Sequence, residues 1–470
     1  MRTIFVALCL AVFAFPVKAQ SPAIDHVRAY VAAVNAGDVA GVQRFRDNSI
    51  APAFADEQPL DAFVKYFADQ KRTTGGVELV DIRIKPGLAE AALRDRIYGG
   101  LRGVKLILES DSEQRVRELE PGPAPAWMVV SGPPRSPRAI ATRARERVRR
   151  GCEAEVFSGA VLVAHGDTVL IETACGEANR RYRVANTPGT RFNLGSMNKM
   201  ITAVAIMQLV EAGKIRLDDR LSKYADESWL PRAVADQITI AQLLGHTSGL
   251  GDFMDDGWED RPRDAYRELT DFKPLVRTEK LAFPPGSKFE YSNTGMLMLG
   301  VVIEAASGED YYGYVQRHVY DVAGMASTGS APMDEPVADL AMGYWRGPQG
   351  WRENSFRQLF RGGPAGGGYS TVGDLYRFAR ALQVGKLVSA ASLDTLWTDH
   401  PPNGYGAGFE IQTTAAGKIV GHSGAARGVS ARLSLYLDKD YVVVVLSNLD
   451  RGGPALNDVL TAEIASAGKR

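Results

Sequence analysis

The stretch LGSMNKMITAVAIMQLVEAGK, residues 194 to 214, sets Ser196 three residues ahead of Lys199 at the start of an apolar run. Residues i and i+3 share one face of a helix, so this hydroxyl and this amine can touch on a first turn. A serine is a weak nucleophile until a base takes its proton. A lysine serves as that base only when its pKa falls well below the ~10.4 of a free side chain. Burial lowers it, because desolvation penalises the ammonium. The same helix terminus offers free N–H groups and a partial positive charge to a developing anion. Alone, the pattern is not rare: S-x-x-K arises about once by chance in a chain this long. Ser466 and Lys469 form a second match, in a tail too near the C-terminus to build a site. Ser196 by itself reads equally as a helix cap beside a solvated lysine.

Two further triplets each occur once. Tyr291-Ser292-Asn293 lies in PPGSKFEYSNTGMLMLG, where a Pro-Gly turn leads into an apolar helix, and His422-Ser423-Gly424 lies in IVGHSGAARG among late strands. The elements that must position these residues follow from periodicity. FSGAVLVAHGDTVLIETACGEAN reads as two strands joined at His165-Gly166-Asp167. From about Leu217 to Gly363 the chain reads as helices separated by Gly- and Pro-rich loops. YGAGFEIQT, ARLSLYLD and YVVVVLSN read as strands, closed by a helix from about Pro454 to Ala467. The expected architecture is α+β: early hairpin and late strands in one antiparallel sheet, helices on its faces, and the middle segment as a helical lobe bordering a cleft.

At 470 residues, two domains are expected. Residues 20 to 132 read as helices followed by strands (VELVDIRI, VKLILES), a small α+β unit. PGPAPAWMVVSGPPRSP, residues 121 to 137 with six prolines, reads as a connection, and 133 to 470 as the larger domain. Residues 1 to 19, with Arg2, an apolar run Ile4 to Phe15 and Val17-Lys18-Ala19, read as a cleaved signal peptide, placing the protein in the periplasm or outside the cell. No membrane span is expected after cleavage. Cys152 and Cys175 are left either as a disulfide or as buried thiols. With 55 basic and 55 acidic residues, nothing supports a nucleic-acid surface. The six histidines are dispersed and form no metal pattern, so no metal or cofactor is expected, and the expected partner is a small-molecule ester, amide or peptide.

In this order, S-x-x-K, Y-x-N and H-x-G resemble the motifs of the serine β-lactamase and penicillin-binding protein superfamily, on its class C, D-alanyl carboxypeptidase and esterase branch. RFNLGSMNKM, LLGHTSGL (243 to 250) and GGGYSTVGDLYRFA (366 to 379) are similar to recurrent segments of that family. The resemblance runs from about Arg138 to the C-terminus. It implies a serine β-lactamase-like fold in which Ser196 becomes acylated, Lys199 and Tyr291 share proton transfer, and Asn293 orients substrate. It also implies an oxyanion hole from the N–H groups of Ser196 and Ala425. Tyrosine as a base needs a nearby cation, and Lys199 is the nearest candidate.

The third motif departs from the usual K-T-G: His422 stands where a lysine offers a fixed cation, and with Gly424 it is expected to form a hydrogen-bonding wall of the cleft. Esterases and D-amino-acid peptide hydrolases carry H-x-G, so such an activity is expected ahead of a β-lactamase or D-alanyl-D-alanine carboxypeptidase. A silent cell-wall-peptide binder need not keep the serine, lysine and tyrosine. Gly421 to Ala425 misses the G-x-S-x-G elbow of α/β-hydrolases by its last residue and is followed by a strand rather than a helix. His246 is expected to fix its loop, and Gly366 to Gly368 to let backbones approach. The N-terminal unit is similar to NTF2-like domains.

Overall fold

The computed structural model describes residues 21–129, 134–254, 257–347, 349–399 and 403–468. The signal-peptide reading, His400 and Lys469 of the second S-x-x-K match lie outside them. Among the described residues, no helix is long and apolar enough to cross a membrane.

The N-terminal unit packs four helices, the longest Pro22–Ala36 and Leu60–Thr74, on an antiparallel meander of β1 (Val77–Lys85), β2 (Leu88–Asp95), β3 (Leu101–Leu108) and β4 (Val116–Pro123). Its core is filled by apolar side chains. Tyr30, Phe45 and Phe67 meet ring to ring, with Phe45 and Phe67 edge-on at 5.3 Å. β4 extends into the proline-rich stretch that reads as a connection. It is an edge strand, and Pro121 and Pro123 are tolerated where one side of the ladder needs no N–H donor.

The larger unit opens with the helix Pro137–Glu153, followed by β5 (Gly159–His165) and β6 (Thr168–Cys175). Short pairs follow: β7 (Glu177–Asn179) with β8 (Val184–Ala185), β9 (Phe192–Asn193) with the later β12 (Tyr369–Ser370), and β10 (Tyr344–Gly347) with β11 (Gly350–Glu353). The last strands are β13 (Glu410–Thr414), β14 (Gly417–Ala426), β15 (Val429–Tyr436) and β16 (Tyr441–Ser447). Six strands form one antiparallel sheet in the order β13-β14-β15-β16-β5-β6, as the sequence pattern predicts. β5 and β16 are buried on both faces, and alternation sorts their side chains. Val161, Val163, Val443 and Val445 pack under Pro137–Glu153 and the last helix, Gly452–Ala465. Ala160, Leu162, Val444 and Leu446 face the helical lobe and the helix Asn198–Glu211.

A disulfide joins Cys152, at the end of Pro137–Glu153, to Cys175 at the end of β6, which decides between the two states the sequence leaves open. The two units meet across buried charges. Arg102 on β3 donates to Asp458 at 3.0 Å and lies 3.8 Å from Asp95. Arg147 donates to the Tyr98 carbonyl at 2.6 Å and through Nε and Nη2 to Glu463.

Candidate active site

Ser196 sits on a 3₁₀ turn, Gly195–Met197, and the α-helix proper begins at Asn198. That helix is apolar on nearly every side and buried, which draws the lysine of its first turn into the interior. Gly195 has φ 51°, and a Cβ there would lie 2.9 Å from the Ala425 nitrogen. A Cβ on Gly424 would overlap the Leu194 carbonyl oxygen. Glycine at both positions is what lets the serine turn lie against β14, so that the Ser196 and Ala425 amides come together. The Gly366–Gly368 segment closes the other side: Gly367 donates to the Gly195 carbonyl at 3.1 Å, and Leu194 donates to the Gly368 carbonyl at 2.7 Å.

Lys199 is fully buried. Its Nζ lies 3.1 Å from Ser196 Oγ, 2.8 Å from Asn293 Oδ1 and 2.6 Å from the Ala365 carbonyl oxygen; the ammonium donates to all three, and the neutral amine keeps the last two donations and turns its lone pair to the serine hydroxyl. All three partners are neutral. Desolvation lowers its pKa from 10.5 to about 7, with Asp252 opposing in part. Tyr291 follows the opposite course to the sequence expectation. It is 39% exposed, yet its hydroxyl bonds Ser196, and desolvation raises its pKa, with Glu410 and Asp252 adding to the rise. Lys199 does not offset this desolvation: its Nζ lies 4.6 Å from the ring centre, but burial drives it towards the neutral form as well. Tyr291 is therefore held protonated.

Asn293 opens the helix Asn293–Ser307, which Ser292 caps by accepting from the Gly295 N–H. Only 6% of Asn293 is exposed. While its Oδ1 takes the lysine, its Nδ2 donates to Asp252 at 2.8 Å. Asn293, which the resemblance implies orients substrate, thus bridges Lys199 and Asp252.

His422, expected as a hydrogen-bonding wall of the cleft, is 1% exposed and makes its hydrogen bonds within the protein. It ends a chain whose protons follow from its partners. The Ser292 N–H donates to His246 Nδ1 at 3.1 Å, so His246 Nε2 carries a hydrogen and donates to the Tyr405 hydroxyl at 3.1 Å. Tyr405 donates to His422 Nε2 at 3.0 Å, and His422 Nδ1 donates to the Ser423 carbonyl at 2.6 Å. Both rings are neutral in this arrangement. Burial lowers His422 to about 4 despite Glu410 at 3.6 Å, and lowers His246 well below 6.5. Burial would raise Glu410, but Arg432, 3.0 Å away, and hydrogen bonds from Ser423 outweigh it and bring it to about 2. The loop-fixing expected of His246 is seen directly, with the residue held at φ 54°, a backbone conformation uncommon outside glycine.

Sequence reasoning passed over Asp252, Tyr405 and Glu410. Asp252 directly follows the quoted GHTSGL segment and one glycine. Tyr405 opens the stretch YGAGFEIQT and Glu410 lies within it, a charged residue between apolar Phe409 and Ile411.

The beta-lactamase family model matches residues 141–466, and the chain belongs to that family. It is 30% identical over 318 residues to penicillin-binding protein 4* of Bacillus subtilis, covering 63% of this chain and 69% of that protein. The crystal structure of a penicillin-binding protein from Bacillus halodurans superposes with a TM-score of 0.62 at 34% identity, covering 67% of this chain and 97% of that one. A D-stereospecific amidohydrolase from Streptomyces, 24% identical with a TM-score of 0.56 over 69% of this chain and 98% of its own, shares the fold.

Proposed function

We propose that this chain, a serine hydrolase by its kinship with the family, is an exported enzyme that cleaves an ester or amide, such as a simple ester or a D-amino-acid amide or peptide, through an acyl-enzyme on Ser196. The observation that carries this reading is a buried amine with a pKa of about 7, 3.1 Å from the serine hydroxyl. Neutral Lys199 takes the Ser196 proton as Oγ attacks the carbonyl carbon. The Ser196 and Ala425 N–H groups hold the resulting oxyanion. When the intermediate collapses, Tyr291, already protonated, gives its proton to the leaving alcohol or amine and recovers one from Lys199. Water then attacks the acyl carbon, Lys199 takes its proton, and Ser196 Oγ leaves with it. Export rests on residues 1 to 19. The unit from 20 to 132 takes no part in these steps.

The bias towards substrates lacking a carboxylate comes from charge. The third motif supplies a buried neutral imidazole instead of a fixed cation, and the exposed carboxylate of Asp252 stands beside Asn293. Kinship with penicillin-binding proteins favours a second reading, turnover of β-lactams or D-alanyl peptides. A panel of p-nitrophenyl esters, D-amino-acid amides, a D-alanyl-D-alanine peptide and nitrocefin decides between them. The proposed reading expects the first two groups to be turned over at least about tenfold faster in kcat/KM. Preference for nitrocefin or the peptide would reverse it. A fluorescent phosphonate should label the wild type and leave Ser196→Ala unlabelled; a site that takes no label belongs to a binding protein.

A further inference from the structure

The hairpins β7–β8 and β10–β11 share an open groove of ≈ 600 Å³, none of whose lining residues belongs to the Ser196 cluster. Four arginines, Arg180, Arg181, Arg183 and Arg352, line it against two glutamates. The pairing inside it is incomplete. Glu353 is taken by Arg181 at 3.3 Å, and Arg352 donates to the neutral Gln349 at 3.0 Å. Among the described residues, no carboxylate pairs with Arg180 or Arg183, and Arg180 Nε is buried with no hydrogen-bond partner.

Arg180 is nonetheless held in place. Its guanidinium lies over the Trp351 ring at 3.9 Å and over Tyr344 at 5.6 Å, and its backbone N–H donates to the Tyr344 hydroxyl at 2.8 Å. A second guanidinium, Arg346, stands over the same indole at 4.6 Å. The rings thus fix Arg180 without neutralising it, whereas Arg346 also pairs with Glu155 at 3.6 Å. A buried donor with no acceptor costs free energy that an incoming oxygen would recover. The planar fork of arginine matches carboxylate and phosphate groups, which take two parallel N–H bonds. A concave groove suits a ligand that enters it better than a flat surface that lies across it.

We propose that this groove binds a multiply charged oxyanion ligand, one presenting carboxylate or phosphate groups, through Arg180 and Arg183 with Arg352 alongside. Calorimetric titration with inorganic pyrophosphate and with citrate, at one low ionic strength, tests it. Wild type should bind at least one with a Kd of about 1 mM or tighter. The double variant Arg180→Met with Arg183→Gln should weaken that at least about tenfold. Glu353→Gln, which frees Arg181, should tighten binding about threefold, a gain that a merely structural arginine cluster would not give. Tighter pyrophosphate assigns phosphate as the natural group, and tighter citrate assigns carboxylate. Should the double variant fail to fold, Arg183→Gln on the exposed hairpin replaces it, with a loss of about threefold expected. No binding of either anion up to about 10 mM, or equal affinity in wild type and arginine variants, overturns the proposal.

Discussion

Lys199 and Arg147 are both buried cations, yet their surroundings treat them differently. Lys199 meets a hydroxyl, a side-chain amide and a carbonyl; the nearby carboxylate, Asp252, reaches it only through Asn293. Arg147, 8% exposed, is met by the carboxylate of Glu463 on two nitrogens and by the Tyr98 carbonyl on a third. A guanidinium keeps its proton at any pH the fold survives, so burying it demands a counter-ion. An ammonium can give its proton up, and a site that withholds the counter-ion makes a base of it. The interface between the two units keeps its charges by pairing them; the nucleophile's neighbourhood sheds them.

The largest expected effect removes the nucleophile. Ser196→Ala should lower kcat/KM by about 10⁴-fold or more, while Ser466→Ala should change nothing measurable. Activity of Ser196→Ala within tenfold of wild type would falsify the assignment. Next comes the neutral lysine. For the wild type, kcat/KM should rise about tenfold per pH step below about 7 and level off above it, as Lys199 loses its proton. Lys199→Arg, which keeps its charge, should cost about 10³-fold with no recovery at alkaline pH. A flat profile between pH 5 and 9, or a working arginine variant, would return Lys199 to the class of ordinary buried charges.

On the paired side, Glu463→Gln leaves Arg147 buried with no anion. Burial alone would raise Glu463, yet hydrogen bonds from Arg143 and Arg147 hold its pKa below the usual carboxylate range. The variant should lose about 3–5 kcal/mol of stability, read by urea denaturation, and the midpoint should fall accordingly. A loss below about 1 kcal/mol would mean that the interface does not depend on this pair.

Much of this contrast was written in the chain, though unevenly. Ser196, Lys199, Tyr291 and the glycine of the third motif could be found from spacing, because a helix turn and a strand fix where neighbours point. Alternation likewise predicted the sheet containing both the early hairpin and the late strands. Protonation states could not be read the same way. Burial holds Tyr291 protonated and drives Lys199 towards neutrality, and the walls that bury the lysine, Asn293 and Ala365 among them, arrive from segments about 94 and 166 residues away. His422 reads in the sequence as a hydrogen-bonding wall of the cleft, but its partner Tyr405, 17 residues away, is named by nothing local. The proline-rich stretch shows a simpler limit: composition alone does not tell that its first three residues, Pro121 to Pro123, end an edge strand.

The smallest expected effects come from the neutral histidine chain, and they test whether hydrogen bonds or mere packing keep it neutral. A histidine whose folded pKa lies below its unfolded value binds fewer protons when folded, so its stabilising contribution is present above 6.5 and is lost as pH falls towards the folded value. For His422, the fall from 6.5 to about 4 corresponds to about 3 kcal/mol lost between those pH values, and His246 adds in the same direction. Tyr405→Phe should cost about 1–2 kcal/mol at pH 7.5, because it strips the donor from His422 Nε2 and the acceptor from the His246 Nε2–H. Neither ring touches Ser196 Oγ, so ester kcat/KM should fall by less than about tenfold. The informative measurement is the slope. Without Tyr405 donating to it, neutral His422 loses a stabilising bond, its folded pKa climbs back towards 6.5, and the decline in stability between pH 6.5 and 4 should become shallower than in wild type. An unchanged slope would mean that desolvation by the surrounding packing alone keeps the imidazole neutral, and that the directional chain from Ser292 to Ser423 is incidental to it.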